Sequence, residues 1–499
     1  MRTIFILMDS LNRHMLSVYG NDWVNTSSID RLAAGGVIFD RHYCGSMPCI
    51  PARRDLLTGR VNFLETGWGP LEPWDALLPT LLRDEIGTYS HMITDHCHYF
   101  NGGAGDRYQN IFDSWEYMRG QPWDPWHGVV NPKPLPVGAR KYCYGKRYQH
   151  QHLANLEYRD TEKDDAYSSV QCIEAACHFI ERNHGEDNWH LHLELFDPHE
   201  PFDCPQAYLD EYGDQWDGPP STCPDYAPLH RDKDTPEAVE HLRKAYAATL
   251  TMIDRKLGQL LDMMDRFNMW EDTAVILTTD HGYLLGEHGL WAKNYMMCYD
   301  ELVHLPFIVR YPGAIPGRRQ ALTGAIDVMP TILDMHGARD IPESVMGKSI
   351  VPLLKEDGHH HDGLLFGYFG REVNMTDGKY TYHRMPTPNS TCDFHFTDFS
   401  TAHPSKVLKA ELGTYLKHSN GIPHFRLIRQ SGLPQGCDGQ HLIYDLENDP
   451  NQRKPVHDHK RERELTEKLR ILLQQADAPD CQYERLAIDQ PAGSGKGSD

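Results

Sequence analysis

The residues most suited to chemistry lie between positions 49 and 60, in the stretch Cys49-Ile50-Pro51-Ala52-Arg53-Arg54-Asp55-Leu56-Leu57-Thr58-Gly59-Arg60. Pro51 has no N–H and a fixed φ, which suits the first turn of a helix, and Gly59 suits its end. Cys49 is therefore expected at a helix N-terminus, where free backbone N–H groups attract an anion, with Arg53 one turn away. The pattern indicates an anion site beside a thiol; the alternative is an ordinary buried cysteine.

Polar side chains also follow several predicted strands. The apolar or alternating segments 3–8, 89–94, 189–196 and 273–279 are followed, respectively, by Asp9, by His96 and His98, by His199, and by Asp280 and His281. Because the carboxyl ends of parallel strands meet at one edge of an α/β sheet, these side chains can converge although they are far apart in the chain. Lys293 can join them from a loop. The plainer alternatives are a helix N-cap for Asp9 and turn residues for the histidines.

Several of these segments resemble motifs of the type I sulfatases, which belong to the alkaline phosphatase superfamily and are related to the phosphonate monoester hydrolases. The closest resemblance is Cys49-x-Pro51-x-Arg53 followed by Leu57-Thr58-Gly59-Arg60. The others are Asp9 with the loop after it, Pro198-His199-Glu200-Pro201, Asp280-His281-Gly282, and Gly289-Leu290-Trp291-Ala292-Lys293. In that family a formylglycine-generating enzyme oxidises the motif cysteine, and the resulting formylglycine is the nucleophile.

The resemblance implies a role for each candidate residue. The metal ligands would be Asp9, Cys49, Asp280 and His281, the catalytic residues Cys49, Arg53, His98, His199 and Lys293, and the sulfate-binding residues His96 and Lys293. One divalent metal is expected: Ca²⁺ is what the sulfatases imply, and Mn²⁺ is the alternative because related phosphonate monoester hydrolases share the histidine. An unmodified thiolate would instead favour a softer metal.

The implied reaction is hydrolysis of a small sulfate ester. A hydroxyl of hydrated formylglycine attacks sulfur while Arg53, Lys293 and the metal stabilise charge on the transferred group. His199, or Lys293, protonates the leaving oxygen, and His98 then takes a proton from the second hydroxyl so that the hemiacetal releases sulfate.

Three departures from the family pattern keep alternatives open. Ser10 stands where many sulfatases have a second aspartate, His96 stands where a lysine is common, and Ala52 stands where serine is commoner. One alternative is a phosphonate monoester or phosphodiester hydrolase with the same nucleophile. The other, of a different class, is a non-catalytic anion-binding protein with an unmodified Cys49.

The strands and helices predicted around these residues indicate an α/β fold. We expect a large and mostly parallel sheet sandwiched by helices, with a smaller C-terminal α+β domain. We expect a catalytic domain over 1–355 that includes an irregular insertion at 101–160, a C-terminal domain over 364–489, and a disordered tail over 490–499. The polar linker 355–363 carries three consecutive histidines, which we do not expect to converge on a metal because they are adjacent in a flexible loop.

Bulk composition excludes several classes of function. The 499 residues carry a net charge of −22, which argues against binding to nucleic acid or an anionic membrane. The first apolar run is too short for a signal peptide, no run approaches the ~18 residues of a membrane span, and the twelve cysteines form no CxxC pair. The sequence therefore predicts a cytoplasmic protein, and it does not determine the oligomeric state.

Overall fold

The computed structural model describes residues 1–100, 107–134, 146–219, 221–398 and 409–490. Its strands are β1 Arg2–Met8, β2 Val37–Tyr43, β3 Ser46–Met47, β4 Tyr89–Thr94, β5 Ser114–Tyr117, β6 Trp189–Leu195, β7 Thr273–Thr278, β8 Leu284–Leu285, β9 Trp291–Ala292, β10 Ile308–Arg310, β11 Gly317–Gly324, β12 Leu364–Tyr368, β13 Val373–Thr376, β14 Tyr380–Arg384, β15 Thr391–Phe396, β16 Glu411–Gly413, β17 His424–Gln430 and β18 Leu442–Asp445. Its α-helices are α1 Ser27–Ala34, α2 Cys49–Thr58, α3 Leu78–Leu81, α4 Lys146–Leu156, α5 Ser168–Asn183, α6 Gln206–Asp210, α7 Pro236–Arg266, α8 Asp300–Val303, α9 Val328–His336, α10 His459–Gln475 and α11 Asp480–Leu486.

The largest sheet has eight strands in the order β11-β2-β10-β7-β1-β6-β4-β5. Only β10 runs antiparallel to its neighbours β2 and β7; the other pairs are parallel. The predicted fold class, a mostly parallel sheet between helices, is confirmed.

Strand β1 at the centre of the sheet explains the two layers of helices. Its alternate side chains point to opposite faces. Ile4 and Ile6 pack in the cluster that contains the apolar sides of α5 and α7, while Phe5 and Leu7 pack in the cluster that contains α2 and α9. All seven residues of β1 are buried, so the strand reads in the sequence as a continuous apolar run.

A second sheet, in the order β18-β14-β13-β12-β3, takes four of its strands from the C-terminal region. Its edge strand β3 comes from the N-terminal part of the chain, and Met47 pairs in parallel with Tyr368. Ser46 and Met47, which lie just before Pro48 and the Cys49 helix, thus link the predicted domain 1–355 to the predicted domain 364–489. A third sheet, β15-β17-β16, adjoins it in sequence.

Two regular elements lie among the described residues of the predicted irregular insertion at 101–160. Ser114–Tyr117 forms β5, which pairs in parallel with β4 at the edge of the main sheet, and Lys146–Leu156 forms α4. The strand was missed because it is short and lies at an edge, where half of its side chains face solvent and no apolar run is needed. The predicted tail from 491 onward lies outside the described residues, and within these no helix is long and apolar enough to cross a membrane.

Candidate active site

The carboxyl ends of three neighbouring strands bring the predicted residues to one place. β1 lies between β6 and β7, with Met8 opposite Leu195 and Leu7 opposite Thr278. Asp9 therefore leaves the sheet at the same level as Phe196 and Asp280, and the loops bearing His199 and His281 start on either side of it. This is the arrangement expected of a ligand site in an open α/β sheet.

Cys49 is the first residue of α2, as the position of Pro51 predicted. The cysteine is 5% exposed, and its Sγ lies 3.3 Å from Nε2 of His281. Burial raises the pKa of this thiol, with Lys293 acting in the opposite direction. Unmodified Cys49 is thus held as a neutral thiol, which is a poor nucleophile.

Four side chains offer a binding site for a cation. One ligand atom from each of Asp9, Cys49, Asp280 and His281 lies within 4.8 Å of the others, and all four residues are buried. His281 Nδ1 lies 2.9 Å from the Gly282 carbonyl, to which it can donate, leaving Nε2 as the free ligand atom. The set of two carboxylates, one imidazole and the atom at position 49 fits the single divalent metal that the sequence predicted.

Arg53 lies in the site and contacts three carboxylates. Its Nη2 donates to Asp9 at 2.7 Å, its Nη1 donates to Asp280 at 2.5 Å, and its Nε donates to Glu194. The side chain is 1% exposed. These three contacts position the carboxylates of the candidate metal site and leave two of the five N–H groups of the guanidinium.

Lys293 reaches the site from the loop after β9. Its Nζ donates to the Ser10 hydroxyl at 2.6 Å and lies 3.7 Å from Asp9 Oδ1, and Ser10 donates in turn to the same oxygen at 2.8 Å. Burial alone would raise the pKa of Asp9, but Arg53 and Lys293 outweigh it and hold that pKa well below its usual range. Asp9 is therefore ionised at neutral pH and able to bind a cation.

The three predicted histidines lie around the same carboxylate. His96 Nδ1 is 3.8 Å from Asp9 Oδ2, and His98 Nδ1 is 3.3 Å from His96 Nε2. The ring of Trp123 lies 5.1 Å from the rings of both His98 and His199. Burial lowers the pKa of His98 to about 4, so this imidazole is neutral and can accept a proton at neutral pH.

Two buried carboxylates of the site escaped the sequence reasoning. Glu194 lies near the end of β6, binds Arg53 and accepts from Tyr99 Oη at 2.9 Å. Glu200 is completely buried, accepts from Tyr226 Oη at 2.6 Å and places a carboxylate oxygen 3.2 Å from His199 Nδ1. The signal that could have found Glu194 is a carboxylate within a buried strand, which requires a cationic partner.

Comparison with known proteins decides the family. The sulfatase family model matches residues 2–338, which is more than half of the chain and includes every predicted site residue. The chain belongs to the sulfatase family. A choline-sulfatase of Rhizobium meliloti (strain 1021) is 23% identical over 386 residues, covering 70% of this chain and 71% of its own length. The predicted membership of the alkaline phosphatase superfamily and the prediction of a sulfuric ester hydrolase are confirmed at the level of the family.

Solved structures agree in fold with this sulfatase-family chain. A protein solved in complex with its substrate D-glucosamine-2-N,6-O-disulfate superposes with a TM-score of 0.65 at 16% identity, covering 96% of this chain and 98% of its own. The phosphonate monoester hydrolase of Silicibacter pomeroyi superposes with a TM-score of 0.62 at 20% identity, covering 97% and 95%. At these identities the two likenesses show the fold alone.

Proposed function

We propose that this protein hydrolyses sulfate esters with a formylglycine, derived from Cys49, as nucleophile. The observation that carries the proposal is the position of Cys49, at a helix N-terminus and among Asp9, Asp280 and His281. A thiol whose pKa is raised by burial is poorly suited to attack an ester itself. A cysteine that is converted to formylglycine does not have to be a reactive thiol. It has to lie at the right place, and Cys49 lies beside the candidate cation site.

The charges around the site support binding of a divalent cation. Three carboxylates, those of Asp9, Glu194 and Asp280, face two cations, Arg53 and Lys293. A metal held by Asp9, Asp280, His281 and the oxygen at position 49 would supply charge stabilisation to an anionic ester. Calcium suits the carboxylates and manganese suits the imidazole better, so both are candidates.

Lys293, His199 and His98 would stabilise charge and transfer protons. Lys293 supplies a buried ammonium within reach of Asp9 and Ser10, where the transferred group would lie. His199 donates through its Nδ1 to the Glu200 carbonyl at 2.7 Å, so its Nε2 carries a proton for the leaving oxygen only in the imidazolium form; the Lys293 ammonium is the alternative proton donor. Neutral His98 is the proton acceptor for release of the product, and His96 orients it.

A second candidate reaction, hydrolysis of phosphonate monoesters or phosphodiesters with the same nucleophile, is favoured by one observation. Lys293 binds a serine hydroxyl at position 10, where a second carboxylate would add negative charge. Ser10 in place of a second aspartate is a departure from the pattern of many sulfatases, and this departure favours the second candidate.

The state of the cysteines bears on the cell compartment. The eleven cysteines of the described residues form no disulfide, which supports a reducing environment and the cytoplasmic location that we propose.

Comparison of esters tests the substrate class. If the proposed function is correct, we expect kcat/KM for an aryl sulfate to exceed that for the matching phenylphosphonate ester. Because one nucleophile serves both esters and only the transferred group differs, the ratio of the two values measures the preference for sulfur over phosphorus. Choline sulfate and glucosamine 6-sulfate extend the panel to the groups named for the relatives. A much larger value for the phosphorus ester would replace the first proposal with the second.

Mass spectrometry of the peptide around residue 49 tests the nucleophile. Protein made in a host with the converting enzyme should carry the aldehyde mass or its hydrate, and Cys49→Ala should lower kcat by about 10³-fold or more, because the covalent step is lost. Cys44→Ala, at a buried cysteine five residues before Cys49, is the matched control and should keep its activity. An unmodified cysteine together with undiminished activity of Cys49→Ala would exclude the formylglycine mechanism and favour an anion-binding protein.

A further inference from the structure

A second group of metal-ligating side chains lies at the far end of helix α2 from Cys49. Among the described residues, the groups whose ligand atoms lie within 4.8 Å of one another are the Asp9 group and the group of Asp327, His360 and His361. Helix α2 ends at Gly59, which packs against Ile326. Ten residues of helix separate the two groups by about 15 Å. The sequence-based expectation that the linker histidines do not converge is wrong for two of the three.

The geometry of this second group is not explained by hydrogen bonding alone. His361 Nε2 lies 2.9 and 3.1 Å from the two carboxylate oxygens of Asp327, as expected for a hydrogen bond. His360 Nε2 lies 3.3 Å from Oδ2 of the same carboxylate, in an alignment that is poor for a hydrogen bond. The side chains of His360, His361 and Asp327 are 7%, 9% and 0% exposed. A buried ring nitrogen without a well-aligned hydrogen bond is costly unless something else binds it.

The Asp327 carboxylate is fixed in place by the backbone around it. The Gly324 N–H donates to Oδ2 and the Lys348 N–H donates to Oδ1, each at 2.8 Å. The linker is held as well, because Lys348 Nζ donates to the His360 carbonyl at 3.1 Å. The remaining lone pair of each oxygen faces the imidazoles, so the carboxylate is already positioned to share a cation with them once His361 Nε2 gives up its proton.

We propose that Asp327, His360 and His361 bind a zinc ion that fastens the linker 355–363 to the start of α9. Two imidazoles and one carboxylate are ligands preferred by Zn²⁺ over Ca²⁺. Ligand atoms about 2.05 Å from a tetrahedral zinc lie roughly 3.3 Å apart, close to the 2.9–3.3 Å between these nitrogens and oxygens. His361 also lines a cavity of about 310 Å³, which provides an entry path and room for a water as fourth ligand.

The position of the site indicates a structural role. The linker joins α9, which packs on the main sheet, to β12 of the C-terminal sheet. Met346 and Gly347, just after α9, donate to the Gly59 carbonyl at the end of α2. An ion at Asp327 would therefore stabilise the contact between the two sheets and the far end of the helix that starts at Cys49. Binding to the folded state alone raises its stability.

Zinc content and thermal stability test the proposal. His359 is 72% exposed and lies outside the group, so His359→Ala is the matched control for the double variant H360A/H361A. Protein stripped with chelator is re-supplied with low-micromolar zinc, and bound zinc is counted per chain. We expect the double variant to bind one zinc fewer than wild type, and His359→Ala to bind as many as wild type. Any zinc bound at the Asp9 group is present in all three proteins, so it cancels when their zinc counts are compared.

His360→Gln separates metal binding from hydrogen bonding, because it leaves the bond between His361 and Asp327 intact. We expect this variant to have the wild-type Tm in chelator but a smaller zinc-dependent rise in Tm than wild type. Equal zinc counts in wild type and the double variant, or a zinc-dependent rise in Tm that is as large in both variants as in wild type, would overturn the proposal. Neither readout depends on esterase activity.

Discussion

Arg53 is the residue on which the charge balance of the site depends. Its three nitrogens hold Asp9, Glu194 and Asp280 at the ends of three different strands, so removing it would leave three buried carboxylates around an empty centre. Arg54, one residue later on the same helix, is equally buried but pairs in a bidentate manner with Asp75 alone. The two arginines thus offer an internal comparison.

We expect Arg53→Gln to destabilise the protein by about 3–5 kcal/mol, because it leaves buried charges uncompensated, and to lower kcat/KM at least tenfold. Arg54→Gln should cost stability with much less effect on kcat/KM. Excess divalent cation should recover part of the Tm of Arg53→Gln only, since a metal can neutralise Asp9 and Asp280. Thermal unfolding and kinetics, each with and without added metal, measure this; identical behaviour of the two variants would contradict the assigned role.

Helix α2 is the element that places Cys49, and its end is as constrained as its start. Gly59 caps the helix at φ 62°, and a Cβ there would lie 2.8 Å from Val345 Cγ1. Gly87 also follows a helical turn with positive φ, at 71°, but a Cβ there would meet nothing within 4 Å. Both glycines share the backbone penalty of a left-handed conformation, and only Gly59 adds a steric one.

Gly87→Ala should cost about 1 kcal/mol from the backbone alone, whereas Gly59→Ala should cost roughly 1–3 kcal/mol more because Val345 must move. Displacement of α2 should also lower kcat in Gly59→Ala and leave Gly87→Ala unaffected. Urea denaturation and kinetics of the two variants check this. Equal losses of stability would mean that the packing around Gly59 adapts without cost.

The central strands and the residues at their ends were predictable from the sequence because a buried parallel strand reads as one apolar run. The bounds of β4 were predicted correctly at 89–94, and those of β1 to within one residue. The pairing of β3 with β12 was not predictable, because a two-residue strand has no pattern and its partner lies far along the chain. Glu194 was missed for a related reason: its partner Arg53 is far from it in the sequence, and only the folded structure brings the two together.

At the scale of the whole molecule, buried histidines make stability depend on pH. Burial lowers the pKa of His192 and that of His383 to about 3. Between pH 6.5 and 3 the unfolded chain takes up a proton at each of these positions while the folded protein does not. Unfolding is therefore favoured as the pH falls below about 6.5, and the stability is fully present above it.

His383→Gln should weaken this dependence by a defined amount. Burial is the sole cause of the lowered pKa of His383, and a glutamine amide can replace its bond to Asn374 Oδ1, at 2.8 Å. Removal of one such group should reduce the slope of the unfolding free energy between pH 6 and 4 by about 1.4 kcal/mol per pH unit. His459→Gln, at a side chain that is 96% exposed, is the control and should keep the wild-type slope. Urea denaturation across this range measures both slopes; an unchanged slope in His383→Gln would mean that this imidazole is protonated in the folded protein.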